Sequence, residues 1–151
     1  MLVSDNIHLV KYSKMINYSI TLHGCWRDCN RQGIPPLTGV YFVYKCQNIV
    51  GTNSITLGSL LYIGQSGNVQ DRVMWHEGRV RWWGALGPGE ELAYAFAPVE
   101  SAYLDDVEAA LIYRLRPVFN NELCVRYEKR EIILTIHAAT AYGLPGLVIA
   151  P

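Results

Sequence analysis

Two short segments rich in β-branched and aromatic residues most constrain the fold of this chain. They are GVYFVYK, which begins at Gly39, and SLLYIGQS, which begins at Ser59. Segments of this length and composition form strands. The residues between them include Gly51, Asn53 and Gly58, which favour turns. An antiparallel pair is therefore expected, although the connection is too long for a tight hairpin.

Two helices and a third strand follow this pair. Asn68 can cap a helix that begins VQDRVMWHEGRV, and LAYAFAPV reads as a strand. Ser101 can cap a second helix, which must stop near Arg116 because Pro117 follows. The order predicts an α+β fold, with a small antiparallel three-stranded sheet flanked by helices in the order strand-strand-helix-strand-helix.

The rest of the chain forms additions to this core, which we place at 39–122. A length of 151 residues fits a single domain, 1–151, with a sizeable core. In the N-terminal extension, 1–38, SITLHG is expected to form a short strand and CWRDCNRQG a helical turn or a loop. In the C-terminal extension, 123–151, KREIILTIHAA is predicted to be a strand, although a helix also fits, and Gly and Pro residues break the chain after it.

Composition narrows the function classes only moderately. The formal net charge is zero, which argues mildly against a sequence-independent nucleic-acid coat protein but not against an enzyme with one basic site. No run of eighteen apolar residues is present, so no transmembrane span is expected. The N-terminus lacks a basic start followed by an apolar run, and the four cysteines read as free thiols. These features predict a cytoplasmic protein.

An acidic residue of the second helix lies beside its apolar stripe. The stripe consists of Leu104, Val107, Leu111 and Leu115. Glu108 lies at helical offsets from this stripe, whereas Asp105 and Asp106 are expected to face water. A carboxylate in that position is costly unless it is paired or binds a metal. The alternative is an edge position from which the side chain reaches solvent.

Three basic residues recur at helical spacing in the first helix. Arg72, His76 and Arg79 lie at i, i+4 and i+7, which predicts one positive stripe suited to phosphate. A solvated helix face is the competing interpretation. Tyr41 and Tyr62, in the first two strands, are each more typical of a structural tyrosine when taken alone.

Taken together and in order, these features resemble the GIY-YIG nuclease family. The first signature is present as GVY from Gly39, with Val40 in place of isoleucine, and the second is intact as YIG from Tyr62 to Gly64. The remaining positions that match the family's functional residues are Arg72, His76, Glu108 and Asn120. The resemblance covers about 39–121.

The chain departs from the family's usual pattern between the two signatures. Many members join them through a short hairpin, whereas here the connection carries Cys46 to Ser59. This enlargement is similar to that of the restriction-endonuclease branch. A DNA-contacting insertion is the other interpretation.

The resemblance implies hydrolysis of DNA phosphodiesters with one divalent cation, Mg²⁺ or Mn²⁺. Glu108 would hold the ion, which prefers few protein ligands and several waters. The ion would act as a Lewis acid on the scissile phosphate, and Arg72 would neutralise charge developing on the phosphate oxygens.

The resemblance also assigns roles to the other matched residues. Tyr41 would orient the attacking water and take its proton, aided by Arg72, by the metal or by proton acceptance at His76. Tyr62 would position the water or the phosphate. Asn120 is expected to fix the helix end rather than act directly. We expect all the catalytic side chains to converge on one face of the sheet.

Further residues suggest contacts with nucleic acid or with zinc. The candidates for contacting DNA are Arg79, Arg81, Trp82, Lys129 and Arg130. Trp82 and its neighbour Trp83 also suit a core or a dimer interface. The spacing of His23, Cys25 and Cys29, together with Cys46 or Cys124, is loose for a zinc site, and free thiols are the preferred interpretation.

Three functions follow from these patterns. The first is a DNA endonuclease of restriction, mobile-element or phage-defence type, acting on double- or single-stranded DNA. A site-specific enzyme that cuts both strands would need a homodimer or a second binding event, because one domain carries one active site. The alternatives are a non-catalytic DNA- or partner-binding module with the same fold and a small protein that acts on another phosphate ester.

Overall fold

A computed structural model describes residues 15–120 and 129–151. Its strands are β1 (Ile16–Thr21), β2 (His23–Arg27), β3 (Gly39–Asn48), β4 (Ile55–Ser66), β5 (Glu90–Pro98), β6 (Ile132–His137) and β7 (Leu147–Ala150). Its α-helices are α1 (Val69–Met74), α2 (Arg79–Gly84) and α3 (Leu104–Leu115), and short 3₁₀ helices span Asp28–Gly33, Ser101–Tyr103 and Ala139–Tyr142. No helix within these ranges is long and apolar enough to cross a membrane.

The larger sheet, called the main sheet below, has the strand order β2-β5-β3-β4 and is antiparallel throughout. The predicted α+β class is confirmed, and the two predicted signature strands pair with each other. The sheet has four strands rather than three, because β2 adds to the edge of β5. Sequence inspection assigned CWR to a turn or loop, since the partner that makes it a strand lies far along the chain, where Trp26 pairs with Tyr94.

The connection between the two signatures is largely strand. β3 continues to Asn48 and β4 begins at Ile55, so only residues 49–54 form the loop. Backbone hydrogen bonds from Ile49 to Ser54 and from Thr52 to Ile49 close it. The longer connection therefore extends the hairpin rather than forming a separate loop.

A second, smaller sheet has the order β1-β6-β7. β1 runs parallel to β6, with Ile16 opposite Ile132, and β7 runs antiparallel to β6. The predicted strand in KREIILTIHAA is confirmed as β6. β7 was not predicted, because Pro145 and Gly146 precede it directly and mark a chain break in the sequence.

Helix α3 packs between the two sheets. Val107 and Leu111 belong to one apolar cluster with residues of both sheets, and the helix ends at Arg116 in the left-handed conformation, before Pro117 as predicted. The prediction that Ser101 caps this helix is wrong, since Tyr103 occupies the N-cap and makes no side-chain capping bond.

The prediction that Asp106 faces water is also wrong. Its side chain is 6% exposed and accepts hydrogen bonds from Nε and Nη2 of Arg130 at 3.0 and 2.6 Å. Arg130, which follows α3 in the chain, pairs with this carboxylate. The ion pair compensates for the cost of burying the negative charge of Asp106. Asp105 is exposed, as expected.

The region predicted as one first helix is two short helices. Asn68 caps α1 as predicted, accepting a hydrogen bond from the Asp71 amide at 3.1 Å. The helix then ends at Met74, Trp75 leaves the helical conformation, and α2 begins only at Arg79. The prediction that Arg72, His76 and Arg79 share one face of a continuous helix is therefore wrong, because the helix is interrupted between Arg72 and Arg79.

Candidate active site

The two signature tyrosines lie together on one face of the main sheet. The ring centroids of Tyr41 and Tyr62 are 6.1 Å apart. The ring of His76 lies edge-on to both, with centroid distances of 6.0 and 5.3 Å. Trp82 packs against this group, with its ring centroid 4.4 Å from that of His76 and 5.2 Å from that of Tyr62. Two strands and the segment between α1 and α2 thus build one aromatic cluster.

The glycine of each signature makes room for close packing. Gly64 lies opposite Tyr41 across β3 and β4, and a Cβ there would overlap the tyrosine hydroxyl, with ring atom Cε1 only 2.8 Å away. A Cβ at Gly39 would meet Cε2 of Phe96 at 2.6 Å. Glycine is required at both positions because neighbouring side chains or backbone occupy the space of a side chain.

Burial keeps both tyrosines protonated. Tyr41 is 1% exposed, and desolvation raises its pKa above the ordinary range, with Tyr62 and Glu108 adding to the effect and Arg72 opposing it. Burial likewise raises the pKa of Tyr62, and Glu108 again adds to the increase. Tyr41 is therefore a neutral phenol at neutral pH, and Arg72 is the side chain that favours its ionised form.

Arg72 is held by an acidic neighbour. Its two terminal nitrogens donate to the carboxylate of Glu77 at 2.6 and 2.9 Å. The bond to Arg72 lowers the pKa of Glu77 to about 2, and the same bond raises the pKa of Arg72. A bidentate carboxylate occupies the guanidinium edge that a phosphate group would use. Sequence analysis did not single out Glu77.

The hydrogen bonding of His76 fixes its tautomer. Nδ1 accepts a hydrogen bond from the Gly78 amide at 2.8 Å, so we assign the proton of the neutral ring to Nε2. Burial lowers the pKa of His76 to about 4, and the charge of Arg72 acts in the same direction. This geometry argues against the predicted role of His76 as a proton acceptor. Its Nε2 can instead donate a hydrogen bond to an oxygen.

The buried neutral imidazole should make stability depend on pH. The pKa of His76 falls from 6.5 in the free side chain to about 4 in the folded protein. The unfolded chain therefore binds more protons in this interval, and the free energy of unfolding should decrease as the pH falls from about 6.5 towards 4. The loss is at most roughly 3 kcal/mol.

Urea unfolding of the wild type and of His76→Gln across this interval would measure the effect. The difference between the two curves isolates this ring from the carboxylates that titrate nearby. His23→Gln, at an exposed position on β2, is the matched control and should follow the wild type. Parallel curves for the wild type and His76→Gln would contradict the assignment.

The glutamate belongs to a helix on the other side of the sheet from the aromatic cluster. Helix α3 packs on the face that carries Val40, Phe42 and Ile63, opposite the tyrosines, so the prediction that all catalytic side chains share one face is wrong. Glu108 contacts Gln65 of β4, which is the edge strand of the sheet. Its charge still acts on both tyrosines.

Gln65, directly after the second signature, holds this glutamate. Its amide nitrogen is 2.6 Å from Oε2 of Glu108 and 2.6 Å from Oδ1 of Asp105. Burial raises the pKa of Glu108, and Asp105 adds to the increase while Gln65 and Lys129 oppose it. Half-buried carboxylate oxygens beside a second carboxylate favour a nearby cation. The Glu108 carboxylate is therefore chemically suited to an oxygen-binding divalent ion.

Asn120 anchors the segment that follows α3 to the edge strand. Its side-chain oxygen accepts from the Ile63 amide at 2.8 Å and its nitrogen donates to the Ile63 carbonyl at 2.9 Å. The Phe119 amide also bonds to the Leu61 carbonyl at 2.9 Å. Asn120 therefore pairs with β4 as a strand would, which agrees with the structural role expected for it.

A buried ion-pair network was missed by the sequence analysis. Asp28, 8% exposed, accepts from Nε and Nη2 of Arg79 at 3.2 and 2.5 Å and from the Tyr94 hydroxyl at 2.7 Å. These bonds and a contact with Arg31 lower the pKa of Asp28 against the opposing effect of burial. Arg79 thus links α2 to Asp28 and, through Asp28, to Tyr94 of the main sheet, so its guanidinium is paired with a carboxylate.

The candidates for contacting DNA occupy different environments. Trp82 is 1% exposed and belongs to the core, so it has no surface on which a base could stack. Arg130 pairs with Asp106 and Arg79 with Asp28. Arg81 is exposed, with its guanidinium 5.1 Å from the Phe119 ring centroid, and Lys129 is exposed near Glu108.

The cysteines of the described residues are free thiols. They are Cys25, Cys29 and Cys46; Cys124 lies outside the described residues. Burial raises the pKa of Cys25 to about 12 and that of Cys46 to about 11, which disfavours the thiolate. Across 15–120 and 129–151, no three His, Cys, Asp or Glu side chains are grouped to hold a metal ion.

Comparison with known proteins returned no family model, no curated protein and no solved structure that matches this chain.

Proposed function

We propose that this protein is a divalent-metal-dependent DNA endonuclease of the GIY-YIG type, cutting phosphodiester bonds at the cluster of Tyr41, Tyr62, Arg72 and Glu108. The observation that carries the proposal is the packing of the two signature tyrosines, whose ring centroids are 6.1 Å apart, with the His76 ring against both. Arg72 lowers and Glu108 raises the pKa of both tyrosines, so a cation and an anion act on these two phenols. Phosphoryl transfer depends on such positioned charges.

The arrangement of β3, β4 and β5 with α3 supports the family proposal. The order strand, strand, helical segment, strand, helix is that implied by the resemblance. Gly64 of the second signature lies against Tyr41 of the first. A larger residue at position 64 would overlap the tyrosine, which gives a physical reason for the glycine. The fourth strand, β2, is an addition to this core.

The chain's own side chains have distinct tasks in this reaction. Arg72 turns from Glu77 to the phosphate oxygens and offers the same two nitrogens to them. Tyr41 loses its phenolic proton to solvent and Arg72 stabilises the resulting phenolate. The phenolate then orients the attacking water and takes its proton, which regenerates the neutral phenol. His76, protonated on Nε2, donates to an oxygen of this group. Tyr62 packs against Trp82 and restricts the motion of the cluster.

Glu108 is the residue that would hold the divalent ion. Bound Mg²⁺ or Mn²⁺ would act as a Lewis acid on the scissile phosphate and stabilise the leaving oxygen. Gln65 orients the carboxylate, and Asp105 adds negative charge beside it. A single carboxylate ligand is typical of Mg²⁺, which keeps several waters and binds substrate phosphate.

Cleavage assays with a neutralised carboxylate test the proposal. Supercoiled plasmid and single-stranded DNA are incubated with the protein in Mg²⁺, Mn²⁺ and EDTA. Glu108→Gln keeps the shape and removes the charge, and should reduce metal-dependent cleavage about 100-fold or more. Glu100→Gln, an exposed position just before α3, is the matched control and should cut like the wild type.

The same assay distinguishes the alternative function. Absence of cleavage by the wild type, with DNA still bound by both the wild type and Glu108→Gln, would contradict the nuclease proposal and indicate a non-catalytic binding module. Metal-dependent cleavage that persists in Glu108→Gln would place the metal ligand elsewhere.

A further inference from the structure

A groove lies on the outer side of α1 and α2, next to the aromatic cluster. It has a volume of about 480 Å³, within the range of small-molecule sites. Its walls include Trp75 and Trp83. His76 also lines the groove and contacts both Tyr41 and Tyr62. One imidazole ring therefore belongs both to this groove and to the proposed catalytic cluster.

The groove exposes large apolar side chains. Trp75 is 77% exposed, Trp83 51% and Val80 82%. Trp82 belongs to α2 together with Val80 and Trp83, but it is buried. Helix α2 therefore exposes only some of its large apolar side chains. Two exposed indoles beside one groove are suited to stacking against a planar ring.

The groove also carries an excess of positive charge. Arg31 and Arg79 both line it, and both are neutralised by the same carboxylate. Asp28 lies 2.5 Å from Nη2 of Arg79 and 3.8 Å from Nη1 of Arg31. One negative charge faces two positive charges, so the network can attract an anion.

Two buried nitrogens in the groove lining lack a hydrogen-bond partner. They are Nε of Arg31 and Nε2 of His76, and neither bonds to any of the described residues. His76 is 8% exposed. With Nδ1 of His76 accepting from Gly78, both nitrogens are donors. Both nitrogens are enclosed by protein atoms, so the groove presents its indoles and its arginine charge to a ligand rather than these two donors.

We propose that this groove binds an unpaired nucleotide of the DNA substrate, with its base stacked on Trp75 or Trp83 and its phosphate near Arg31 and Arg79. An unpaired nucleotide combines a planar ring, which suits the exposed indoles, with a negative charge, which suits the two arginines that share one carboxylate. The inference rests on the proposed nuclease function and adds a substrate class to it. The enzyme should prefer single-stranded or locally unpaired DNA, because paired bases offer no free ring face.

Binding is measured separately from cleavage. Fluorescence anisotropy of a labelled oligothymidine and of a duplex of equal length is recorded with Glu108→Gln protein in EDTA. The single strand should bind more tightly than the duplex. Trp75→Ala and Trp83→Ala, made in this background, should each weaken single-strand binding about tenfold, whereas Trp75→Phe, which keeps an aromatic face, should weaken it less.

The matched control is Val50→Ala. Val50 is 96% exposed in the β3–β4 loop, and this variant should bind as the parent does. Both tryptophans are exposed, so their variants should keep the parent's circular dichroism spectrum and thermal midpoint.

Two results would overturn the inference while leaving the nuclease proposal intact. One is equal binding of single strand and duplex, unchanged by either tryptophan variant. The other is a dimer in analytical ultracentrifugation that Trp75→Ala dissociates without changing DNA affinity, which would make the groove an interface between two copies of the chain. Cleavage that depends on Glu108 is scored independently, so failure of the nuclease proposal is recognised from that assay.

Discussion

Gly64→Ala is expected to lower DNA cleavage by about 100-fold or more and to destabilise the fold by about 1–3 kcal/mol. The new methyl group would overlap the hydroxyl of Tyr41 and approach its ring. Tyr41 is 1% exposed, and packed neighbours restrict its retreat. The phenol that orients the attacking water would be displaced, and displacements of this size are costly for positioned catalytic groups.

A nearby glycine provides the control for this substitution. Gly67 lies three positions later, and a Cβ there would meet no atom within 4 Å. Gly67→Ala should therefore keep both activity and stability. Chemical denaturation and initial rates of plasmid nicking measure the two effects. Full activity of Gly64→Ala would show that the position of Tyr41 does not limit the reaction.

A second series concerns the pair of Arg72 and Glu77. Arg72→Lys should reduce cleavage by about 100- to 1000-fold, because a single ammonium replaces the fork that binds two phosphate oxygens. Glu77→Gln should instead strengthen substrate binding. It removes the carboxylate that occupies both terminal nitrogens of Arg72, so the KM for DNA should fall.

The control for this series is Asp71→Asn, which neutralises an exposed carboxylate on the same helix as Arg72. Steady-state kinetics at several salt concentrations separates a general charge effect from the specific one, since a general effect would appear in both variants. If Glu77→Gln raises the KM instead, Glu77 holds Arg72 in its working geometry rather than competing with DNA.

Local features of the fold could be predicted from sequence. The β-branched signature strands, the cap at Asn68 and the stop before Pro117 depend on residues close to each other in the chain. The break after Met74 could not be predicted in this way. It depends on His76 turning inward to pack between Trp82 and the tyrosines, which are contacts between distant elements.

The charged residues of the site were the least predictable part. Asp106 was expected in water because its partner, Arg130, comes after the second helix. Asp28 had no local signal, and its burial follows from Arg79 and Tyr94 meeting it in space. Glu77 could have been noticed as an acidic residue beside His76 and close to Arg72. Pairing in three dimensions, rather than periodicity, determines which charges remain available.

The parallel pairing of β1 with β6 has a consequence for how the chain acquires its structure. Ile16 of β1 and Ile132 of β6 are neighbours in the small sheet. Almost the whole of the described chain lies between these two strands in the sequence. Closing so long a loop is entropically costly and slows folding. During synthesis β1 has no partner until β6 has left the ribosome. We therefore expect the small sheet to form after the main sheet and to complete folding as its last step.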